Sequence, residues 1–285
     1  MSQEATMYTF NTPEPVNLRV EVWVGQVEIY GEETTETTVE LKPLNHDSNA
    51  QDLIDDTRVE QRGNEIVVLM PKVKSGLFGR RGQVRATIRV PRDSNIKVET
   101  ASADLDTHGR LGDAKTVSGS GDVRLEHVAE CEVRTGSGDI TIGTATGSVD
   151  SKCGSGDAVV GSVNGDGDFL AGSGDVVIDS IDGSLKIKTG SGDILIKSSG
   201  PSVDALAGSG DLMVRRIAEG RLKAKTGSGD ISIGVADGTA AYLDVMTVTG
   251  DVTSTLDSTD APADGDQTVE LIVQAGSGDV VLRRA

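Results

Sequence analysis

The sequence is short of the residues that build broad cores, cross-links and membrane spans. Its aromatics are one Trp, three Tyr and three Phe in 285 residues. Tyr8, Phe10, Trp23, Tyr30 and Phe78 fall before residue 100, so only Phe169 and Tyr242 remain beyond it. A carbohydrate-cleaving β-helix needs aromatic platforms, groove-forming loops and paired acids in unlike environments. The chain has no such set, and no catalytic residue is singled out. No apolar run approaches the ~20 residues that span a bilayer. The opening MSQEATMYTFNTPEP lacks a basic stretch followed by an apolar one, so no secretory signal or transmembrane segment is visible and a cytoplasmic location is expected. Positive charge is scarce too. Lys and Arg number 27 against 45 Asp and Glu, a formal net charge of −18. That argues against nucleic acid or an anionic membrane as a general partner, because neutralising phosphates takes a basic face. There is no phosphate-binding G-x-x-x-x-G-K-[ST] loop, and His46, His108 and His127 share no ligand spacing, which leaves them as isolated surface residues. No cofactor and no metal are expected.

What the chain has in quantity is glycine, and it is periodic. G-S-G-D stands at Gly119–Asp122, Gly136–Asp139, Gly154–Asp157, Gly172–Asp175, Gly190–Asp193, Gly208–Asp211, Gly227–Asp230 and Gly276–Asp279. Looser copies end at Asp104 and Asp251, and the aspartates are 18, 17, 18, 18, 18, 18, 19, 21 and 28 residues apart. A fixed period of this size means stacked supersecondary units. In the copy GSGDVVIDSIDGSLKIKT the glycines and Asp175 read as a turn in which Asp caps its own backbone. Val176, Ile178 and Ile181, then Leu185 and Ile187, alternate with polar residues as two strands buried on one face. The predicted fold is all-β: a parallel β-solenoid of about 18 residues per coil, two strands per coil, preceded by a small antiparallel β-domain. By that period Cys131 lies four strand positions from the site stacking on Cys153, about 13 Å away and too far for a disulfide. Reduced, buried thiols follow.

Residues 1–100 form the expected N-terminal domain, capping the solenoid of residues 101–285. Leu18, Val20, Val22 and Val24 alternate, Val27 and Ile29 resume after Gly25, and Trp23 lies on the opposite face, either as a contact residue or packed under the next segment. Thr37–Leu41 reads as a strand ended by Pro43, Asn45–Asp56 as a loop or short helical turn, and Arg62-Gly63-Asn64 as a hairpin turn. Val84–Val90 alternates up to Pro91. At the far end Arg283 and Arg284 read as edge charges that discourage a further strand. The file of aspartates invites comparison with calcium-binding β-rolls, but here Asp follows the second Gly directly and once per coil, so turn-capping is the reading taken. The acidic stretch with Asp257, Asp260, Asp264 and Asp266 lacks calcium-loop spacing.

Charge is uneven. Residues 71–100 carry eight bases and two acids, whereas residues 1–70 carry four bases and 14 acids. Within that island KVKSGLFGRR sets Leu77 and Phe78 between Lys72, Lys74, Arg80 and Arg81. These six residues are the candidate partner contact, suited to an acidic protein surface, a polyanion or lipid headgroups; the alternative is a solvated loop whose Leu77 and Phe78 fold back onto the N-terminal sheet.

The F-x-T opening, the strand pair VEVWVGQVEIY, the approach RVPRDSNIKVET and the G-S-G-D-[VIL] ladder together resemble a bacterial family, the putative-adhesin β-strand-repeat proteins. The resemblance runs over nearly the whole chain. That family has no assigned biochemical activity and no defined site residues, and some relatives sit in cell-envelope stress-response modules. The resemblance implies a non-catalytic interaction protein facing another protein or an envelope component. The alternative from the repeats is a self-assembling β-helical scaffold, and the oligomeric state is left open.

Overall fold

The structure, a computed structural model, describes residues 5–44, 48–72, 82–256 and 267–285. The described residues are all-β apart from one short helix, and two compact units divide after Thr144. In the N-terminal unit, β1 (Thr6–Asn11), β2 (Asn17–Glu32) and β3 (Glu36–Pro43) precede α1 (Ser48–Asp55). Then come β4 (Arg58–Arg62), β5 (Glu65–Leu69), β6 (Val84–Pro91), β7 (Asn95–Gly109), β8 (Ala114–Ser118), β9 (Val123–Val128), β10 (Cys131–Thr135) and β11 (Ile140–Ala145). The antiparallel part is small: β3 pairs with β1 and with β6, and β4 forms a hairpin with β5 around Gly63 at φ 60°. Where the sequence suggested a loop or helical turn, α1 buries Ala50 and Ile54, one turn apart on one face. The Thr57 hydroxyl donates to Leu53 O at 2.6 Å, which satisfies a carbonyl near the helix end.

β2 departs from the antiparallel pattern. Gly25, at φ 128°, bends it into two halves. The first pairs in parallel with β5, Asn17–Glu21 on Glu65–Leu69, and the second with β6, Gly25–Glu32 on Val84–Pro91. Its other edge runs parallel along β7 from Asn17 to Gly31. β2 therefore already has the two-strand plan of a coil. Only glycine fits at its corner, since a Cβ there would sit 2.0 Å from Val84 O.

The C-terminal unit holds β12 (Val149–Ser155), β13 (Ala158–Val163), β14 (Gly167–Ser173), β15 (Val176–Ile181), β16 (Ser184–Ser191), β17 (Ile194–Ser198), β18 (Ser202–Ser209) and β19 (Leu212–Ile217). It continues with β20 (Gly220–Ser228), β21 (Ile231–Val235), β22 (Ala240–Thr249), β23 (Val252–Ser254), β24 (Thr268–Ser277) and β25 (Val280–Arg284). Each even-numbered strand and the odd one after it make a coil. Coils stack in parallel with an 18-residue offset, Val176 on Ile194 and Leu185 on Val203. Val176, Ile178, Ile181, Leu185 and Ile187 are buried, as the alternation requires. Phe169 is accommodated by small neighbours. It stacks between Ser151 and Ile187, and a Cβ on Gly167 would lie 2.7 Å from its ring.

Stacking, rather than turn geometry alone, explains the repeated tetrapeptide. A Cβ on the first glycine of a copy, Gly190 or Gly208, would sit 2.5 Å from the equivalent carbonyl oxygen of the preceding coil. On the second glycine, Gly210 at φ 146°, the distance falls to 2.2 Å. The aspartate also acts between coils. Asp193 N–H donates to Asp175 Oδ1 and Asp211 N–H to Asp193 Oδ1, both at 2.8 Å. The N-terminal unit repeats this with Asp122 on Asp104 and Asp139 on Asp122. Each carboxylate caps the next coil and not its own turn, because the ~4.8 Å strand spacing brings that coil's N–H within reach. Cys131 and Cys153 are buried thiols not joined in a disulfide, and Cys153 Sγ donates to Gly156 O at 3.1 Å.

The last coil is not the end of the stack. β24 pairs with β20 on one side and β22 on the other, and β25 likewise lies between β21 and β23. The longer steps of 21 and 28 residues reflect this: the chain passes over one level at Ala236–Thr239 and returns to fill it. Arg283 and Arg284 therefore do not guard an edge. Arg284 Nη1 donates to Ala236 O and Thr239 O at 3.1 and 2.8 Å, holding the terminal strand to the crossover.

Candidate binding site

Alternation in the first half of β2 sends Leu18, Val20 and Val22 inward, each at most 1% exposed, and leaves Arg19, Glu21 and Trp23 outward. Arg19 and Glu21 pair at 2.6 Å, a contact that raises the guanidinium pKa. Trp23, half-buried, donates its indole N–H to Met70 O at 2.8 Å. That bond fixes the ring while its apolar body stays available, the usual way a Trp serves at an interface.

A cavity of about 250 Å³ opens beside the ring, lined by Trp23, Val24, Leu53, Met70, Lys72, Gly82 and Ala101. Five segments meet there: the corner of β2, the last turn of α1 through Leu53, the chain leaving β5 through Met70 and Lys72, the chain entering β6 at Gly82, and β7 through Ala101. Gly82 lets the returning chain pass against α1, since a Cβ would stand 2.4 Å from Ala50 N. The Lys72 ammonium lies 4.5 Å from the centroid of the Trp23 ring. An exposed cation–π contact of this kind is worth roughly 0.5–1 kcal/mol. It poises a cation at the mouth of an apolar hollow that has room for one aromatic or branched aliphatic group.

Of the six residues expected to contact a partner, Lys72 is placed here. Lys74, Leu77, Phe78, Arg80 and Arg81 lie outside the described residues, as do His46 and the acidic stretch with Asp257, Asp260, Asp264 and Asp266. Trp23 was recognisable from its face of β2. Leu53, Met70 and Ala101 carry no sequence signal, because they meet only through parallel pairing and the docking of α1.

A second outward cluster contradicts the reading of His108 as isolated. Tyr30 is the cross-strand neighbour of both Arg89 and His108. Its ring stacks on His108 at 4.7 Å and 23°, and the Arg89 guanidinium lies 4.6 Å from its centroid. Burial in this stack raises the Tyr30 pKa, helped by the Glu28 carboxylate and opposed by Arg89. Among the described residues no three His, Cys, Asp or Glu side chains are grouped to hold a metal ion, and no helix is long and apolar enough to cross a membrane.

The Toastrack DUF4097 family model matches residues 17–283, from the first residue of β2 into β25. The chain belongs to that family. No curated protein matches the sequence. Solved structures do share this fold. One is a putative adhesin from Parabacteroides merdae, 14% identical, with a TM-score of 0.50 over 99% of this chain and 97% of that one. Another, a putative adhesin from Parabacteroides distasonis, is 13% identical with a TM-score of 0.50 over 98% of both chains. At such identity the likeness is one of fold.

Proposed function

We propose that this Toastrack protein is a non-catalytic interaction module that presents rigid β-coils to another protein or an envelope component, and that the partner is held at the Trp23 cavity. One observation carries this reading: a cation, Lys72, set over an anchored Trp at the mouth of an apolar cavity, in a chain of net charge −18. The ring and Met70 supply apolar contact, and Lys72, followed in sequence by Lys74, Arg80 and Arg81, supplies attraction for an anionic group beside it. The slim coil interior and the names of the two solved relatives agree with binding in preference to catalysis. With one basic segment working against an acidic field, contact is weak and salt-sensitive.

The test is the joint replacement of Lys72, Lys74, Arg80 and Arg81 by Glu, followed by recovery of partners from the native cell at low and high salt. Loss of recovery at low salt is expected, with circular dichroism unchanged. The single Trp also serves as a probe, because a partner seated in the cavity changes Trp23 fluorescence. Unchanged recovery at both salts would remove this site from the reading.

A further inference from the structure

The interposed final coil leaves β22 and β23 as the terminal coil of the C-terminal unit. Each is paired on one side, by β24 and β25, and among the described residues no strand pairs with the other edge. The interior is open there. Leu243 stacks on Leu271 and Val252 on Val280, yet Leu243 and Val252 are 46% and 48% exposed while the residues beneath them are fully buried. The outward positions are apolar as well. Tyr242 and Met246, 56% and 54% exposed, end columns that carry Arg221 and Glu270, and Lys225 and Gln274, in the preceding coils. Edge strands are ordinarily blunted by lysine, proline or a bulge. Residues 236–256 contain no Lys, Arg or Pro, and β22 pairs with β24 in unbroken register from Ala240 to Thr247. Their only charges are Asp237, Asp244 and Asp251.

We infer that this edge receives an extended segment of a partner protein in which apolar residues alternate with lysine or arginine, added as one more parallel strand. The molecule contains the model for such a pairing. β16, reading Leu185-Lys186-Ile187-Lys188-Thr189, lies on β14 with Lys186 Nζ 3.7 Å from Asp168 Oδ2. β20, reading Leu222-Lys223-Ala224-Lys225-Thr226, lies on β18 with Lys223 Nζ 3.8 Å from Asp204 Oδ2. A strand of that pattern on β22 places apolar residues over Leu243 and Val245, a cation beside Asp244 and the stem of a second over Met246. Charge decides against a second copy of the chain. Two such edges would bring aspartate to aspartate, and the lysine-bearing β16 and β20 are paired on both sides within a folded molecule. The site is distinct from the Trp23 cavity and stands whether or not that cavity binds.

The probe is a fluorescein-labelled peptide with the sequence of Gly220–Val235, titrated with the full chain by anisotropy. Saturable binding that weakens with salt is expected, with slowed amide exchange in residues 240–249. A peptide with both lysines changed to glutamate should bind at least about tenfold more weakly, and the chain variant Asp244→Lys should reverse that preference. Asp244 is exposed, and a melting curve checks that the variant folds. Absence of binding, or binding indifferent to both charge changes, overturns the inference. So does concentration-dependent dimerisation abolished by Asp244→Lys, which would make a second copy the occupant.

Discussion

The coil of β16 and β17 and the coil of β22 and β23 are written in the same code and differ in what lies beyond them. In the first, Leu185, Ile187, Ile194 and Ile196 have strands above and below and are buried. In the second, Leu243 and Val252 occupy the same inward columns and remain half open. The outward faces diverge as well, from Lys186 and Lys188 to Asp244 and Met246. A residue's position in the repeat therefore sets where its side chain points, and the level of its coil sets how much that position contributes. An inward position stabilises in proportion to the coils that cover it.

The largest test of this difference is truncation of an inward side chain at two levels. Phe169→Ala should cost about 3–5 kcal/mol in urea unfolding, because Gly167 and Ser151 leave neighbours that cannot close the void. Leu243→Ala should cost under about 1 kcal/mol, since little area is removed from water there. Equal losses at both positions would show that the terminal coil is covered in solution.

Glycine gives the next contrast. Gly210→Ala brings a Cβ within 2.2 Å of Gly192 O at a left-handed backbone, whereas Gly238, at φ 80°, has nothing within 4 Å. We expect about 2–3 kcal/mol for the first, from overpacking added to backbone strain, and about 1 kcal/mol for Gly238→Ala from strain alone. Thermal melts of the two variants measure the excess due to coil stacking.

The aspartate file should show a smaller gradient. Asp193→Ala removes the acceptor for Asp211 N–H and should cost about 1 kcal/mol. Asp251 lies in the terminal coil and donates downward to Asp279 at 2.9 Å, so Asp251→Ala should be close to neutral. The carboxylates are engaged as hydrogen-bond acceptors, and melting temperature should be indifferent to chelator and to millimolar calcium. A large rise with calcium would assign the file to metal.

The smallest effect carries the comparison to the other unit, where a carboxylate is held by a side chain instead of a stacked backbone. Asp93, at φ 64°, accepts two hydrogen bonds of 2.6 Å from Arg110, which lower its pKa. A depressed folded-state pKa contributes stability above the unfolded value of about 3.9 and loses it as pH falls through the folded one. Because the pair is exposed, solvent screening leaves the contribution small. Asp93→Asn, which tolerates the same backbone, should lower stability slightly at neutral pH and flatten the acid limb of a denaturation series.

The sequence by itself determined the coil. Period, alternation and the glycine-aspartate corner are local, and they repeat often enough that Val176, Ile178, Leu185 and Ile187 could be assigned inward from one copy. It also marked Trp23 and Lys72, by the face of a strand and a reversal in charge. Tertiary structure alone decided which coil touches which. The steps of 21 and 28 residues marked an irregularity, yet a parallel ladder accepts any coil of the right register. The 18-residue code therefore cannot say that β24 and β25 enter between β20 and β22, or that Arg284 turns inward while Leu243 faces water. The same holds where Asp175 caps Asp193, Tyr30 meets His108, and Leu53 and Met70 line one cavity. Each depends on neighbours distant in sequence, and strand-to-strand contact at ~4.8 Å leaves no trace in the local pattern of either strand.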